Sequence, residues 1–563
     1  MVRSLITRRW LITIAVVAGL LVVACGPSET SKPTTPSGET GKQQAEGTPK
    51  RGGTVTVNYN SRWNADPGMG QTPYVTWYYV GDAMLRRDPK TFELKPATFE
   101  SWKVSQDGRE VTLKVRQGMK FHNKPPVNGR EVEAKDLVYV LKSATGLQYP
   151  DLPDVRFPRR EAFGTMKDVQ AVDKYTVKVT LAEPSVSFLH ALADFRGTFV
   201  YPDGIREAFN DIDALVTPSV ERHFGSGPYI LTKYTPDVEQ LVERNPDYWD
   251  KGKPYVDKFR TITIKDKSTE IAAFVSGQLD TFSPALATDR DFIISNMKNV
   301  TIETYPPSSC FHRLVLNVTK KPFDDYKVRR AMYLVMDKKE LGEQIIGSFK
   351  DKPLWRYPGV LPWSFPESIS QEDLVKNALW KGPTPENVAE AKKLLKEAGY
   401  ENGFSIELVT DKPGWGDEAQ LIQRQIEDKL PGVKVNIKLT DKEAHRALTA
   451  KGDFESQLYC HIHEVTAVAT LAQNFATKGG RNYSRYSNSD LDAILAKAES
   501  EFDPAKYKAL LLQAQNLLMD KGLSMLPTHH NYGISAQQSY LKGIGYGAGT
   551  SDQMSIAEWW IDK

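Results

Sequence analysis

The chain has 563 residues and a mass of 63.2 kDa, with 40% hydrophobic and 25% charged residues. That is more length than one hydrophobic core ordinarily uses, so two or three domains are expected. The formal charge of +3 comes wholly from Arg3, Arg8 and Arg9 at the N-terminus. Without them acids and bases balance, and no basic stripe points to nucleic acid or another polyanion.

The first element in chain order is an export signal. Arg3, Arg8 and Arg9 form a basic start, and Leu11 to Val23 is an apolar run too short for a comfortable bilayer span. It ends in Val22-Val23-Ala24-Cys25-Gly26, which resembles the lipobox of bacterial lipoproteins. The resemblance implies cleavage after Ala24, lipidation of Cys25, and anchorage outside the cytoplasm, at the outer face of the cell membrane or in the periplasm. Thr7-Arg8-Arg9-Trp10-Leu11-Ile12 also resembles a twin-arginine export motif; paired arginines are common in ordinary signals, and the export route stays open. Gly26 to Lys50 has almost no apolar residue and reads as a disordered tether, with a span on the order of 25–30 Å.

The alternation of Thr54 to Tyr59 predicts the first strand, followed by a loop, Asn60 to Gly70, that exposes Arg62 and Trp63 where α/β proteins commonly place ligand groups. Trp102 to Phe121 predicts two strands around the turn Gln106-Asp107-Gly108, and Gly129 to Lys142 a capped helix. Further strands are expected at Phe259 to Lys265, Arg313 to Val318, Phe404 to Val409 and Val433 to Leu439, alternating with helices. Two of these helices are well marked. One follows Asp324 and Asp325 with Val328, Ala331, Met332, Val335 and Met336 on one face; the other, Pro385 to Tyr400, has Pro385 in its first turn and Gly399 at its end. Alternation of this kind argues an α/β fold of two lobes.

Catalytic signatures are missing: there is no GxSxG, HExxH, Walker or CxxC sequence. Gly543 to Gly549 is glycine-rich but lacks GxGxxG spacing, and His529 and His530 face opposite ways on an extended chain. The densest reactive stretch is Gly452 to Glu464. As a strand, it puts Cys460, Ile462 and Glu464 on one face and His461 and His463 on the other, so one metal ion could not collect them all. No enzyme activity, cofactor or metal is expected.

Several blocks together resemble one family. WKVSQDGREVTLKVRQGMKFH, EVEAKDLVYVLK, Phe224 to Tyr229, Asn245 to Trp249 with Gly252 to Asp257, LNVTKKPFDDYKVRRAM and PENVAEAKKLLKEAGY resemble, in that order, the extracytoplasmic solute-binding proteins of ABC importers in the oligopeptide, dipeptide and nickel class (solute-binding protein family 5). The resemblance covers residues 51 to 563. It implies a two-lobed periplasmic-binding-protein-like fold (type II, cluster C). Residues 51–72, 221–308 and 526–563 would form a first lobe, 73–220 an inserted domain and 309–525 a second lobe, with crossings near Pro307 and Pro527. It also implies a monomer that closes over a ligand and delivers it to permease subunits.

For the site, the resemblance aligns Glu464 with an acid that pairs with a peptide's α-amino group, and His461 with a tryptophan beside it. Glu464 and His461 are therefore candidate ligand contacts, with Asn60, Arg62, Trp63, Lys412 and Trp415. Lys412 stands where some dipeptide binders carry arginine, and it lacks the guanidinium fork, which favours a looser peptide site over a strict dipeptide one. A nickel or other metal chelate, an oligosaccharide, or a tethered receptor or chaperone role remain alternatives. Two cysteines besides Cys25 in an exported chain make a disulfide the first hypothesis, and relatives carrying a bridge near Cys310 and Cys460 imply the same pair.

Overall fold

The computed structural model describes residues 47–59, 75–88, 91–152, 160–194, 198–215, 219–284, 287–305, 310–349, 352–411, 415–545 and 556–563. The expected signal, Cys25 and most of the tether lie outside the described residues.

β1 (Thr54–Asn58) forms where the alternation predicts it. An inserted domain follows: the hairpin β2 (Leu85–Arg87) and β3 (Leu94–Pro96), then β4 (Phe99–Val104), β5 (Glu110–Val115), β6 (Met166–Asp173) and β7 (Thr176–Leu181), the last four in the order β4-β5-β7-β6. The helix Ala134–Thr145 lies against this sheet; Glu133 and Asp136 cap its start reciprocally, and Gly146 ends it in a left-handed conformation. β8 (Tyr229–Thr235), β9 (Glu239–Arg244) and β10 (Lys258–Ile262) return to β1, giving the order β1-β10-β9-β8 with β1 and β10 parallel. β11 (Thr281–Phe282) and β12 (Val300–Tyr305) complete the run before the first crossing.

The second lobe begins with β13 (Cys310–Leu316), continues through β14 (Ser348–Phe349), β15 (Lys352–Pro353) and β16 (Trp355–Arg356), and then β17 (Ser405–Asp411), β18 (Lys434–Thr440), β19 (Ser456–Ile462) and β20 (Met525–Asn531). Six of these strands form one mixed sheet in the order β16-β20-β13-β19-β17-β18. β21 (Gly533–Gln538) then rejoins the first lobe between β11 and β12. The sequence reading draws the boundary at 525/526; the structure has β20 paired antiparallel with β13, so the return crossing lies at Tyr532. Only pairing decides which sheet an extended run joins. The two crossings run side by side, with Tyr305 opposite Gly533. A Cβ on Gly533 would stand 2.1 Å from the Tyr305 ring, so glycine is required for this approach.

Several of the sequence blocks that carry the family resemblance are joints of the fold. Gly225 and Gly227 press against the end of the helix Val75–Val80, where added Cβ atoms would meet the carbonyl oxygens of Val80 and Gly81 at 2.3 and 2.4 Å. Asn245 Nδ2 donates to the Gly227 carbonyl at 3.0 Å, and the Trp249 indole donates to buried Asp82, which Arg86 also contacts at 3.1 Å. In the second lobe, Asn317 Nδ2 donates to the carbonyls of Gly452 and Phe454, both at 3.1 Å. The helix Pro385–Glu397 is capped by Thr384 and packs along the helix Tyr326–Val335, joined by Arg330 and Glu390 at 2.8 Å. Its apolar side therefore lies against another helix.

The first lobe and the inserted domain share one continuous hydrophobic core that runs from Val55, Tyr229 and Phe259 through Trp77 and Phe199 to Val111 and Val177. The second lobe has a core of its own, from Leu314 and Val409 to Leu495 and Met525. Two strand crossings join the sheets of these bodies, and the inserted domain touches the second lobe directly.

Candidate functional site

β17, β18, β19 and β20 run in one direction and β13 in the other. Their pairing therefore brings four carboxyl ends and the amino end of β13 to one edge of the six-stranded sheet, and from this edge the chain crosses to the first lobe. Ligand groups in open α/β sheets gather at such carboxyl ends. Here the edge is crowded with rings and charges.

Trp415 caps the helix Gly416–Lys429 just past the end of β17, with its ring 5.2 Å from that of His312 and 6.4 Å from that of Tyr459. Tyr459 lies in turn 5.8 Å from His461, and both meet Tyr483, at 5.1 and 5.5 Å. Trp415 and His461, named from sequence, are thus linked through Tyr459, which was not. His461 is almost wholly buried, and burial, with Arg313 and Arg481 nearby, drives its imidazole well below the ordinary range, so it is neutral. Beneath it Arg313 is 1% exposed; one nitrogen donates to the Val360 carbonyl at 2.7 Å, and burial lowers the guanidinium to about 10.

Glu464 sits just past β19 and is largely buried. Arg481 Nη1 donates to its Oε1 at 2.6 Å, and its backbone N–H donates to the Thr470 hydroxyl at 2.9 Å. The next two residues touch the inserted domain. Arg87 Nη1 donates to the Val465 carbonyl at 2.5 Å, Ser187 and Thr466 share a hydroxyl contact at 2.8 Å, and Ser187 also donates to Glu499 at 2.8 Å. Phe92 of the β2–β3 hairpin stacks 5.7 Å from Phe365, which meets His463 at 5.6 Å. Glu464 therefore stands where inserted domain and second lobe meet.

Asn60, Arg62, Trp63 and Lys412 lie outside the described residues, as does the Cys310 side chain. His529 and His530 part, as extended geometry requires. His530 lies close to Arg313, which with burial keeps it neutral. His529 joins His312 and Glu418: His312 Nδ1 donates to Glu418 Oε2 at 2.7 Å, His529 Nδ1 stands 3.6 Å from Glu418 Oε1, and the two imidazoles are 4.6 Å apart. Burial opposes the charge of Glu418, but the facing imidazoles of His312 and His529 outweigh it and hold the carboxyl down at about 2. No sequence spacing could have signalled this cluster, since its members are separated by more than a hundred residues and meet only through the register of β13 and β20.

A hollow of about 500 Å³ lined by Arg116, Trp249 and Lys251 lies away from this edge, at the joint between first lobe and inserted domain. It is open to solvent, and Arg116 and Trp249 are engaged there in a stack 4.3 Å deep.

Residues 93–483 match the model of bacterial extracellular solute-binding proteins, family 5. The chain belongs to that family. This family 5 protein is the substrate-binding protein of an ABC importer, and its family and fold are those of binding proteins, not enzymes. Such proteins act outside the cytoplasm with ABC transporter permeases. It is 27% identical over 480 residues to the glutathione-binding protein GsiB of Salmonella typhimurium, covering 83% of this chain and 86% of that one. Among solved structures, it resembles the Helicobacter pylori periplasmic binding protein DppA in complex with the peptide STSA (TM-score 0.76, 21% identity, 91% of this chain and 99% of that one). It also resembles a Pseudoalteromonas dipeptide-binding protein in complex with Met-Leu (TM-score 0.74, 21% identity, 90% and 100%). These likenesses establish the two-lobed fold.

Proposed function

We propose that this family 5 protein captures a short peptide or a glutathione-like peptide between its lobes and delivers it to its permease partners. The observation that carries this reading is the Glu464–Arg481 pair set beside the rings of Tyr459, His461 and Trp415. A peptide is a zwitterion with a flat backbone, and opposite charges held side by side against aromatic faces complement both features. The names of GsiB and of the two peptide-bound structures point the same way.

In this reading Glu464 receives the ligand's ammonium group, Arg481 holds Glu464 in place, and His461 and Trp415 form walls. Asn60, Arg62 and Trp63 contribute from the first lobe, and Lys412 offers a single cationic contact to the carboxylate end. The lobes close about the crossings that follow Tyr305 and pass through Tyr532. Calorimetric titration with glutathione, dipeptides and tetrapeptides tests this. Glu464→Gln removes a charge-assisted bond worth about 1.5–3 kcal/mol, so binding weakens roughly 10- to 150-fold. Unchanged peptide affinity in that variant would remove Glu464 from the site.

The proposal includes a lipid anchor at Cys25. Cys25→Ala is expected to release the protein from intact cells into the medium or periplasm, and continued membrane retention counts against the anchor. It also includes a bridge between Cys310 and Cys460. The register pairs Cys310 with Ile462 and His312 with Cys460, so the two cysteines are diagonal neighbours on adjacent strands. Such diagonals span about 7–8 Å in a regular sheet, beyond the usual Cα range of a disulfide, so a bridge here requires the two strands to draw closer at this point. Thiol titration of denatured, unreduced protein decides: two reactive thiols mean no bridge.

A further inference from the structure

From the cluster at the crossing edge we infer that the second lobe holds one divalent transition-metal ion, of the Zn²⁺ class, between His312, Glu418 and His529. This goes beyond peptide capture and does not depend on it. The donor set is two imidazoles and one carboxylate, whose ligand atoms all lie within 4.8 Å of one another. That set suits zinc and its first-row neighbours; calcium and magnesium prefer oxygen donors alone.

The spacing fits. Two donors each about 2.1 Å from a tetrahedral ion stand about 3.4 Å apart, and His529 Nδ1 and Glu418 Oε1 are 3.6 Å apart. His312 Nδ1, at 2.7 Å from Glu418 Oε2, needs to withdraw by less than an ångström to make the same spacing. The pairing of buried groups points to a ligand as well. Glu418 is 2% exposed, yet its Oε1 has no hydrogen-bond partner among the described residues, and the His529 Nδ1 that faces it, on a ring 1% exposed, lies 3.4 Å from the Thr528 hydroxyl. Buried polar atoms of this kind are costly unless something else coordinates them.

The three ligands come from β13, the helix Gly416–Lys429 and β20, all parts of one lobe, so the site exists whether the lobes are open or closed. Their backbone positions are fixed by the sheet and by the first turn of that helix. The His312 side chain keeps 22% of its surface exposed beside the Trp415 ring. An ion here therefore has three protein ligands and a fourth position for solvent on the exposed side of His312, the arrangement of sites that exchange a fourth ligand. A water, or a carboxylate or thiolate from a small molecule in the cleft, is the chemistry that would fill it.

The test uses the full purified chain, stripped with a chelator and titrated with Co²⁺ as a visible probe and with Zn²⁺ in competition. The expected result is one ion per chain, visible absorption of low-symmetry four- or five-coordinate Co²⁺, displacement by Zn²⁺, and no response to Ca²⁺ or Mg²⁺. Glu418→Gln and His529→Asn each weaken Zn²⁺ binding by more than about 100-fold, since even indirect partners of a metal ligand are worth 10- to 100-fold. If either buried variant fails to fold, His312→Asn at the partly exposed ligand carries the same expectation, with circular dichroism to report folding. Glutathione and peptide titrations on the same variants keep the two questions apart. Absence of Co²⁺ absorption in the parent chain, or Zn²⁺ affinity in folded His312→Asn equal to the parent's, overturns the site.

Discussion

Buried histidines lead different lives in the two bodies of this protein. In the first lobe and inserted domain each is isolated. His122 donates from Nε2 to the Gly227 carbonyl at 3.1 Å and accepts at Nδ1 from the Gly225 N–H at 3.4 Å, and His223 accepts from the Ser219 N–H at 3.2 Å and lies 5.0 Å from the Trp77 indole. At the crossing edge of the second lobe they are gathered, with His312 and His529 facing Glu418, and His461 and His530 facing Arg313. The first arrangement is what a core does with an occasional polar ring. The second concentrates charge and buried polar rings where the sheet meets the other lobe, which raises the local cost of folding.

The largest expected effect that tests this contrast is acid. Burial holds His122 and His223 near 3 in the folded chain. An imidazole with a folded pKa below its unfolded value of about 6.5 takes its proton only on unfolding, so its contribution is whole above that value and is lost as pH falls. At about pH 4.5 each of the two has lost about 2.7 kcal/mol, on the order of 5 kcal/mol together. His190 is held down in the same way, to about 4, and so are His461 and His530 in the second lobe, so urea unfolding followed by hydrogen exchange should show both bodies weakening as pH drops, with His223→Phe removing about a third of the slope in the first body alone. A slope that the variant leaves untouched would break the comparison.

Next comes Trp77→Ala, which empties the centre of the first core and should cost about 3–5 kcal/mol. Exchange protection should fall in β5 and β8 and stay in β17 and β19, because the second lobe has its own core. Equal loss in both bodies would mean that they unfold as one. Arg481→Ala sharpens the other side: it leaves the Glu464 carboxylate without its 2.6 Å partner and should change peptide affinity by about 1.5–3 kcal/mol with little change in the melting of the first body. The smallest effect is expected for Ser187→Ala, which removes hydroxyl contacts to Thr466 and Glu499 across the boundary. It should cost about 0.5–1.5 kcal/mol, read as earlier exchange of the helix Ala467–Phe475.

How the chain advertises itself follows from the same contrast. The blocks legible in the sequence, such as Phe224 to Tyr229, Asn245 to Trp249 and Asn317 to Asp325, are local solutions to local problems: a glycine where backbone presses on backbone, an Asn or Asp that caps or turns. They located the joints of the fold and thereby the family. The site is written differently. Trp415 could be named because it follows the end of a predicted strand, and His461 and Glu464 because the family resemblance aligns them with ligand contacts, but Tyr459, Arg481, His312 and Glu418 carry no local signal. The boundary at β20 was missed for the same reason, since an alternating run does not say which sheet it will join.

The sequence by itself determined the alternation of strands and helices, the capped helices Pro385–Glu397 and Tyr326–Val335, and the family. Each rests on periodicity or on chemistry within a few residues. Only the tertiary structure decided that the inserted domain shares a core with the first lobe, that the return crossing lies at Tyr532, and that His312, Glu418 and His529 meet. Those outcomes depend on strand pairing between segments more than a hundred residues apart, and pairing is set by the packing of whole sheets, which no local pattern encodes.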